Sequence, residues 1–330
     1  MKEPKSLQEA IIFFSNPDNC VDYLAIRRWA NGKVLCPTCG SDSVKYSEKR
    51  RTWQCGSHHS KREFSIKVGT VMEDSAIGLD KWLTVMWLVT NCKNGVSSYE
   101  IARDVKVTQK SAWFMLHRIR LAMQNESVGQ MGEGGGTVEV DETFVGGRLA
   151  NMHKSKRAKM AEIKGRALKG DHMNKTIVMG ILDRSLREVR AKVIPNVRRD
   201  TLQGEILREV CRESRVYTDE WVGYKSLPEQ NFVHEIVNHV ESYVNGQVHT
   251  NGIENFWSLL KRTLKGTYVA VEPFHLQRYV DEQMFRFNNR ATKDNPLTDS
   301  DRFSLAVRKI IGKRLTFAEL TGKVGTAEAF

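Results

Sequence analysis

The chain has 330 residues, of which 40% are hydrophobic and 27% are charged, and these fractions allow a sizeable globular core. The longest nearly apolar run, residues 82–89, is far shorter than the ~20 residues that span a bilayer, and no signal-like apolar core follows the first residues. We therefore expect neither a membrane-spanning nor a secreted protein, but a cytoplasmic one. The formal net charge of +12 predicts a polyanionic partner, most often nucleic acid.

Three of the six cysteines cluster in the first part of the chain. Cys36 and Cys39 are two residues apart, and after fifteen intervening residues Cys55-Gly-Ser-His58 repeats that spacing. Because each two-residue gap lets one tight turn direct two ligands at the same ion, the pattern predicts a zinc ribbon. The symmetry of the spacing favours His58 as the fourth ligand, while the adjacent His59 remains an alternative. Four protein ligands leave zinc no open position, so the predicted site is structural.

A pair of helices is predicted in the next region. Residues 97–100 have the S-x-x-E form of a capping box, and Thr108 is a good N-cap for a second, longer helix. A short helix, a turn and a longer helix are typical of a helix-turn-helix, although such pairs are also common for purely structural reasons. In a helix-turn-helix, Gln109, Lys110 and Ser111 would meet base edges at the start of the second helix.

Composition predicts five segments along the chain. A glycine-rich stretch without periodicity separates a basic, helical first part from a region that alternates between strand-like and helical patterns, which predicts an α/β domain. The expected segments are an N-terminal helix and zinc ribbon at 1–70, the helix-turn-helix domain at 71–125, a linker at 126–136, the α/β domain at 137–292, and a tail with a short helix at 293–330.

The segment 148–175 carries nine basic and two acidic residues. A charge run of this kind is either a solvated loop or an arm that contacts phosphates and orders only on DNA. In the second case, the DNA contacts are expected from Lys154, Lys156, Arg157 and Lys159.

Acidic residues occur where strands and a helix of the α/β domain are predicted. Residues 137–145 alternate as a strand does, so that Glu139 and Asp141 share one face. Asp219 follows a second short strand, and strand ends in α/β sheets are places where ligands bind. Glu254 and Lys261 lie two turns apart on one face of a predicted helix. Three acids on such elements can converge on two divalent metal ions, which would serve phosphodiester chemistry.

The chain resembles the DDE transposases of bacterial insertion sequences related to the ISXO and Merlin elements, which also have an N-terminal zinc ribbon. The resemblance covers roughly residues 20–290. The matching motifs are residues 138–143, 146–147, 217–224, 238–239, 249–257, 261–262 and 285–290.

The resemblance implies an RNase H-like fold, a mixed sheet with flanking helices, in which Asp141, Asp219 and Glu254 bind two Mg²⁺ or Mn²⁺ ions. Some relatives use asparagine as the third ligand, so the adjacent Asn255 is the alternative to Glu254. We favour Glu254 for its charge and for its register with Lys261, which would bind a terminal DNA phosphate. The neighbouring Arg262 is also expected to contact DNA.

His249 and Asn251 are expected to line this site without binding metal. The function implied is a nucleoid-associated DNA transposase that binds terminal inverted repeats, cleaves strands and joins them to target DNA, as a homodimer or higher assembly. Two alternatives are a catalytically inactive, domesticated DNA-binding regulator and a metal-dependent nuclease without strand transfer.

Overall fold

The structure is a computed structural model that describes residues 3–125, 128–163, 165, 174–219, 222–224, 227–236, 249–293 and 295–323. Residues 164 and 166–173 of the basic segment, the 238–239 motif and the end of the tail lie outside the described residues. Every helix in the described ranges is too short or too polar to cross a membrane.

The chain forms two compact units. The first comprises Met1–Gln124, Gly266–Tyr268 and Asn289–Ala329, and the second comprises Asn125–Lys265 and Val269–Asn288. The helices are α1 Leu7–Phe14, α2 Pro17–Arg28, α3 Leu79–Asn91, α4 Ser98–Asp104, α5 Gln109–Ala122, α6 Lys154–Ile163, α7 Arg199–Glu209, α8 Asn251–Thr263, α9 Leu276–Asn288, α10 Asp299–Arg308 and α11 Phe317–Leu320. The strands are β1 Val44–Ser47, β2 Thr52–Cys55, β3 Glu63–Ser65, β4 Thr137–Val145, β5 Thr176–Asp183, β6 Glu188–Ile194, β7 Arg215–Thr218 and β8 Val233–Ile236.

Local capping groups explain where α4 and α5 begin. Ser97 accepts a hydrogen bond from the backbone N–H of Glu100, whose side chain accepts one from the backbone of Ser97, so the capping box is formed. The Thr108 side chain caps α5 by accepting from the Ser111 N–H at 3.1 Å. Both helices therefore begin where their sequence signals place them.

The C-terminal segment packs into the first unit. The Phe303 ring of α10 is fully buried, and its centroid lies 5.0 Å from that of Trp87 in α3 and 5.6 Å from that of Tyr23 in α2. The Arg118 guanidinium of α5 donates to the Leu315 carbonyl at 3.0 Å. These contacts make α10 and the segment around Leu315 part of the core of the first unit.

The second unit is built on a mixed sheet with the strand order β6-β5-β4-β7-β8. β4 and β5 are antiparallel, as are β5 and β6, whereas β7 and β8 run parallel to β4. Val138 and Val140 of β4 are fully buried in the core on one face of the sheet. The five-stranded sheet with flanking helices is consistent with an RNase H-like core. In this strand order β4 lies at the centre of the sheet, and β7 is its parallel neighbour.

Helix α9 covers the outer edge of β6 with side-chain amides. Gln277 Oε1 accepts from the Val193 N–H at 2.7 Å, and Gln277 Nε2 donates to the Ala191 carbonyl at 3.2 Å. Asn288 accepts from the N–H of Val189 and donates to its carbonyl, at 2.8 and 2.9 Å. The two amides therefore satisfy several of the backbone groups that this sheet edge would otherwise leave unpaired.

The glycine-rich stretch, expected to be a linker, has packed structure in its described residues. Met131 is fully buried, and its N–H donates to the Glu209 carbonyl at 2.7 Å. The next residue, Gly132, has φ +76° and its N–H donates to Asp183 Oδ2 at 2.7 Å, while a Cβ there would collide with Ser214. Glycine is required at this turn both by the backbone conformation and by the close approach of Ser214.

Candidate functional site

The first candidate site is a cluster of three cysteines and one histidine in the first unit. Sulfur and nitrogen atoms of Cys36, Cys39, Cys55 and His59 all lie within 4.8 Å of one another. Cys36 Sγ is 3.5 Å from His59 Nε2, and Cys39 Sγ is 3.6 Å from Cys55 Sγ. Four ligands around one tetrahedral zinc ion are separated by about 3.5–4 Å, given bond lengths near 2.0–2.3 Å. The donor set and its spacing therefore fit zinc.

The fourth member of this cluster corrects the expectation of His58. That expectation relied on two equal knuckles, but Cys55 ends β2 and its N–H donates to the Arg62 carbonyl at 2.8 Å as the chain doubles back toward β3. In this loop His59 points toward the sulfurs, whereas His58 is exposed. The geometry of the hairpin, rather than the symmetry of the spacing, selects the histidine.

The electrostatics of the cluster favour a thiolate. Burial raises the pKa of the Cys36 thiol, but the backbone N–H groups of Cys39 and Thr38 point at its sulfur and bring the pKa down to about 6. A thiolate is the form of cysteine that binds metal. Cys36 is therefore suited to bind a cation as a thiolate, while its proximity helps to raise the pKa of Cys39.

The second candidate site surrounds Asp141 in the second unit. Asp141 lies in the middle of β4, where Trp257 Nε1 of α8 donates to its Oδ2 at 3.0 Å and the Glu142 N–H donates to its Oδ1 at 2.8 Å. Asp219 follows the last residue of β7, a strand that is hydrogen-bonded to β4. Glu254 lies in the first turn of α8. A central strand, the end of its neighbour and a helix thus each contribute one acid.

The charges of Asp219 and Glu254 act on Asp141. Burial raises the pKa of Asp141 to about 6, and the charges of Asp219 and Glu254 act in the same direction, against the hydrogen bonds from Glu142 and Trp257. Asp141 is therefore close enough to each of the other two carboxylates to be repelled by it. A divalent cation between such groups would relieve that repulsion, and carboxylate oxygens are the ligands that Mg²⁺ and Mn²⁺ prefer.

The geometry of α8 distinguishes Glu254 from Asn255. The Thr250 hydroxyl donates to Glu254 Oε1 at 2.9 Å, and Glu254 is one helical turn from Trp257, which contacts Asp141. Asn255 is rotated from Glu254 by about 100° around the helix axis. The residue of α8 that contacts Asp141 is Trp257, and around the helix axis Glu254 is about 60° from it whereas Asn255 is about 160° away.

A further carboxyl group lies next to Asp141. Glu142 accepts a hydrogen bond from the Tyr224 hydroxyl, and burial raises the pKa of Glu142 to about 8, with the charges of Asp141 and Asp219 adding to the effect. Tyr224 is fully buried and follows Asp219 closely in the chain. This bond ties the segment after β7 to the central strand.

The other residues expected at this site lie on α8 or directly before it. His249 precedes α8 and contacts Arg184, whose Nη2 is 2.8 Å from His249 Nδ1, while Asn251 is the exposed first residue of the helix. Lys261 and Arg262 are exposed in the last turn of α8.

The residues expected to bind DNA lie on α5 and α6. Gln109 donates to the Ser98 hydroxyl at 2.9 Å, and the Lys110 ammonium lies 4.7 Å from the Phe317 ring centroid. On α6 of the basic segment, Lys154, Lys156 and Lys159 are exposed, and Arg157 is partly buried. The Arg157 guanidinium donates to the Leu149 carbonyl at 2.6 Å, and Lys156 forms a 3.9 Å ion pair with Glu272.

Comparison with known proteins gives consistent results. A family model described as the ISXO2-like transposase domain matches residues 134–288, and a model described as the transposase zinc-ribbon domain matches residues 15–58. A transposase-like protein of Haemophilus influenzae is 35% identical over 106 residues, which are 32% of this chain and 85% of that protein. The chain belongs to the ISXO2-like transposase family.

Two further similarities accompany this result. A protein in transposable element ISH50 of Halobacterium salinarum is 29% identical over 259 residues, 76% of this transposase and 84% of that protein. Among solved structures, a chain of a simian T-cell lymphotropic virus intasome in complex with the PP2A regulatory subunit B56 gamma is similar. The alignment covers 65% of the present chain and 70% of the intasome chain. Its sequence identity of 13% and TM-score of 0.30 are too low to support an argument about fold.

Sequence reasoning missed three side chains of this transposase that shape the acidic site. Trp257 and Tyr224 belong to the recognised motifs, and an aromatic side chain with a polar tip beside an acidic motif is a signal that could have indicated them. Arg184 directly follows the apolar strand β5 and lies 45 positions from Glu139, to which it donates at 2.7 Å. No local pattern links those two residues, because the antiparallel pairing of β4 and β5 brings them together.

Proposed function

We propose that this protein is the DNA transposase of an insertion sequence, and that it cleaves DNA strands and joins them to target DNA at the site around Asp141. The observation that carries the proposal is the placement of three acids around one strand junction: Asp141 lies on the central strand, Asp219 follows the end of β7, and Glu254 lies in the first turn of α8, whose Trp257 contacts Asp141. Carboxylates placed in this way are suited to a divalent cation, and the family assignment supports DNA as the substrate.

Within the proposal, Mg²⁺ or Mn²⁺ would be held by Asp141, Asp219 and Glu254. A bound pair of divalent ions activates an attacking oxygen and stabilises the leaving oxygen of a phosphodiester. Asp141 is held for this role by the bonds from Trp257 and from the Glu142 N–H, which fix the orientation of its two oxygens. Asp219 and Glu254 would supply the other carboxylates.

The reaction would proceed by two phosphodiester displacements. In the first, water attacks at the end of the element and leaves a free 3′-hydroxyl. In the second, that hydroxyl attacks a target phosphodiester, so that one new P–O bond forms as one target P–O bond breaks. Lys261, two turns after Glu254 on α8, would hold a phosphate of the element's end as a point charge. Arg262 beside it would contact the DNA backbone.

The first unit would supply recognition of the element's ends. A structural zinc ion held by Cys36, Cys39, Cys55 and His59 would fix the ribbon, and α4 with α5 would act as a helix-turn-helix that reads base edges through residues 109–111. The basic helix α6 of the second unit would add contacts to phosphates that do not depend on sequence. Because two ends must be held together for transfer, we expect at least two chains on the DNA.

The proposal is tested by incubating the protein with Mg²⁺ and DNA that carries the native terminal repeats. The expected result is a covalent product in which an element end is joined to target DNA, formed by the wild type and not by Asp141→Asn. Cleavage without joining would instead indicate a nuclease. End binding with neither reaction would indicate a regulator.

A further inference from the structure

A buried carboxylate on β4 lies two residues before Asp141. Glu139 is only 1% exposed. An ionised carboxylate at such depth is costly unless it is paired and hydrogen-bonded. Glu139 has both kinds of partner: Arg184 Nε donates to its Oε1 at 2.7 Å, and the backbone N–H of Ile253 donates to its Oε2 at 2.9 Å.

The second of these partners is the start of α8. Ile253 is the third residue of the helix, and its N–H is one of the first N–H groups that cannot bond within the helix. Such groups are normally capped by the residue that precedes the helix, but the Thr250 hydroxyl is turned instead toward Glu254. Glu139 therefore supplies the cap from the neighbouring strand, and its negative charge also suits the positive end of the helix dipole.

Arg184 secures the same junction from the other side. Its Nη2 donates to the His249 carbonyl at 2.6 Å, one residue before Thr250, and its guanidinium lies 4.7 Å from the centre of the Tyr217 ring. Tyr217 lies in β7, two residues before Asp219. The Glu139–Arg184 pair thus links β4 to both of the elements that carry the other two acids.

The close approach of helix and strand requires Gly252. A Cβ at this position would lie 2.8 Å from Glu139 Oε2 and 3.2 Å from its Cδ. The carboxylate cannot move aside without giving up its bonds to Arg184 or Ile253. The backbone of Gly252 has an ordinary helical conformation, so the need for glycine here comes from space.

We propose that Glu139, with Arg184, is a positioning residue that fixes the first turn of α8 against β4 and thereby sets the distance between Glu254 and Asp141. This inference rests on the proposed metal site at Asp141, Asp219 and Glu254. Glu139 does not contact the metal in this scheme. It acts through the helix start, one residue before Glu254.

The decisive variant is Gly252→Ala. Alanine favours the helix and removes no charged group, but its methyl group pushes the helix start away from Glu139. Gly204→Ala is the matched control, since Gly204 lies in α7 of the same unit and a Cβ there meets open space among the described residues. Glu139→Gln is a second variant that keeps the size of the side chain and removes its charge.

The affinity of the full-length protein for Mn²⁺ is measured by electron paramagnetic resonance. Asp141→Asn serves as the control for Mn²⁺ that binds elsewhere, and the thermal midpoint of unfolding is recorded for each variant. Mn²⁺ is suitable because it prefers carboxylates to the thiolates of the zinc cluster. We expect Gly252→Ala to bind Mn²⁺ at least about tenfold more weakly, as typically follows when ligand orientation is lost, while Gly204→Ala binds as the wild type does. Raising the Mn²⁺ concentration should restore DNA cleavage by Gly252→Ala.

Wild-type Mn²⁺ affinity in Gly252→Ala would overturn the inference, whatever the thermal midpoint, because a merely structural contact changes stability without changing the affinity of the folded site. If Glu139→Gln is too unstable to measure, Gly252→Ala decides alone. Absence of Asp141-dependent Mn²⁺ binding in the wild type would overturn the proposed metal site itself, and with it the inference.

Discussion

The two candidate metal sites of this transposase are built in opposite ways. The four donors of the zinc cluster come from residues 36–59 and lie within 4.8 Å of one another. The three acids of the other site are spread from residue 141 to residue 254, on a central strand, at the end of its neighbour and on a helix. One site is made by local turns, and the other by the topology of a whole unit.

This difference has physical consequences. The donors of the zinc cluster lie on one hairpin and one tight turn. The free energy of zinc binding would therefore directly stabilise the fold of this small segment. The acids need a sheet to hold them, and burial in that sheet, with a smaller contribution from the charges of Asp219 and Glu254, raises the pKa of Asp141 to about 6. On this account the zinc cluster would be stabilised mainly by its metal, whereas the acidic site would be arranged by buried groups such as Glu139 and Trp257.

The largest effect is expected from Asp141→Asn. The substitution keeps the size of the side chain and one of its two hydrogen-bond acceptors but removes the charge that would bind the metal ions, and each lost 1.36 kcal/mol of transition-state stabilisation slows the reaction tenfold. Strand cleavage should fall by roughly a thousandfold or more. A cleavage assay on end DNA measures this, and end binding and zinc content should remain normal as controls. A variant that still nicks end DNA would remove Asp141 from the mechanism.

The choice of third ligand is tested by Glu254→Gln against Asn255→Ala. Loss of a metal-binding carboxylate should lower cleavage by about a hundredfold or more, because it removes several kcal/mol of charge stabilisation. Asn255 is directed away from Asp141 and its substitution should cost less than about threefold, which is within the range of a surface change. The reverse order of these two effects would assign the role to Asn255.

The zinc cluster is tested by His59→Ala against His58→Ala. His59 lies with the three sulfurs and His58 is exposed, so only the first substitution should lower bound zinc and the affinity for end DNA. Zinc per chain, measured by atomic emission, gives the comparison directly. Mn²⁺ binding at the acidic site should survive in both variants, since that site belongs to the other unit. Equal zinc loss in both variants would contradict the assignment.

A smaller effect is expected from Trp257→Phe. The substitution keeps an aromatic ring under the sheet but removes the N–H that donates to Asp141 Oδ2 at 3.0 Å. Partners that orient a metal ligand are typically worth about 10- to 100-fold in metal affinity or activity. The cleavage rate at limiting Mn²⁺ should fall by that amount. Unchanged metal dependence would show that the indole only fills space.

The smallest effect is expected from Lys159→Ala on the basic helix α6. Loss of one phosphate contact should weaken binding equally for specific and unrelated DNA, and should reduce the slope of log affinity against log salt by about 0.9. Lys192→Ala is the matched control, because Lys192 is paired with Glu205 at 3.1 Å on the surface of the same unit. Identical slopes in both variants would place α6 away from the DNA.

Sequence patterns predicted the features that local chemistry determines. Ser97 and Thr108 mark the starts of α4 and α5 because a cap acts within one turn. The alternation in β4 correctly placed Val140 in the core and Asp141 on the opposite face, because side chains alternate along a strand.

Features that depend on distant partners were not predictable in this way. His59 instead of His58 depends on the path of the β2–β3 hairpin, and the glycine-rich stretch is ordered by Asp183, which lies 51 positions from Gly132. Phe303 joins the core of the first unit through rings more than two hundred residues earlier in the chain. Each of these contacts becomes visible only when the tertiary structure is known.

The central claim is that Asp141, Asp219 and Glu254 together hold divalent metal, and anomalous diffraction from a Mn²⁺-soaked crystal of the protein with its end DNA tests it most directly. The account predicts anomalous density between the three carboxylates, at two positions about 3.5–4 Å apart. Ordered side chains with no anomalous density among them would contradict it.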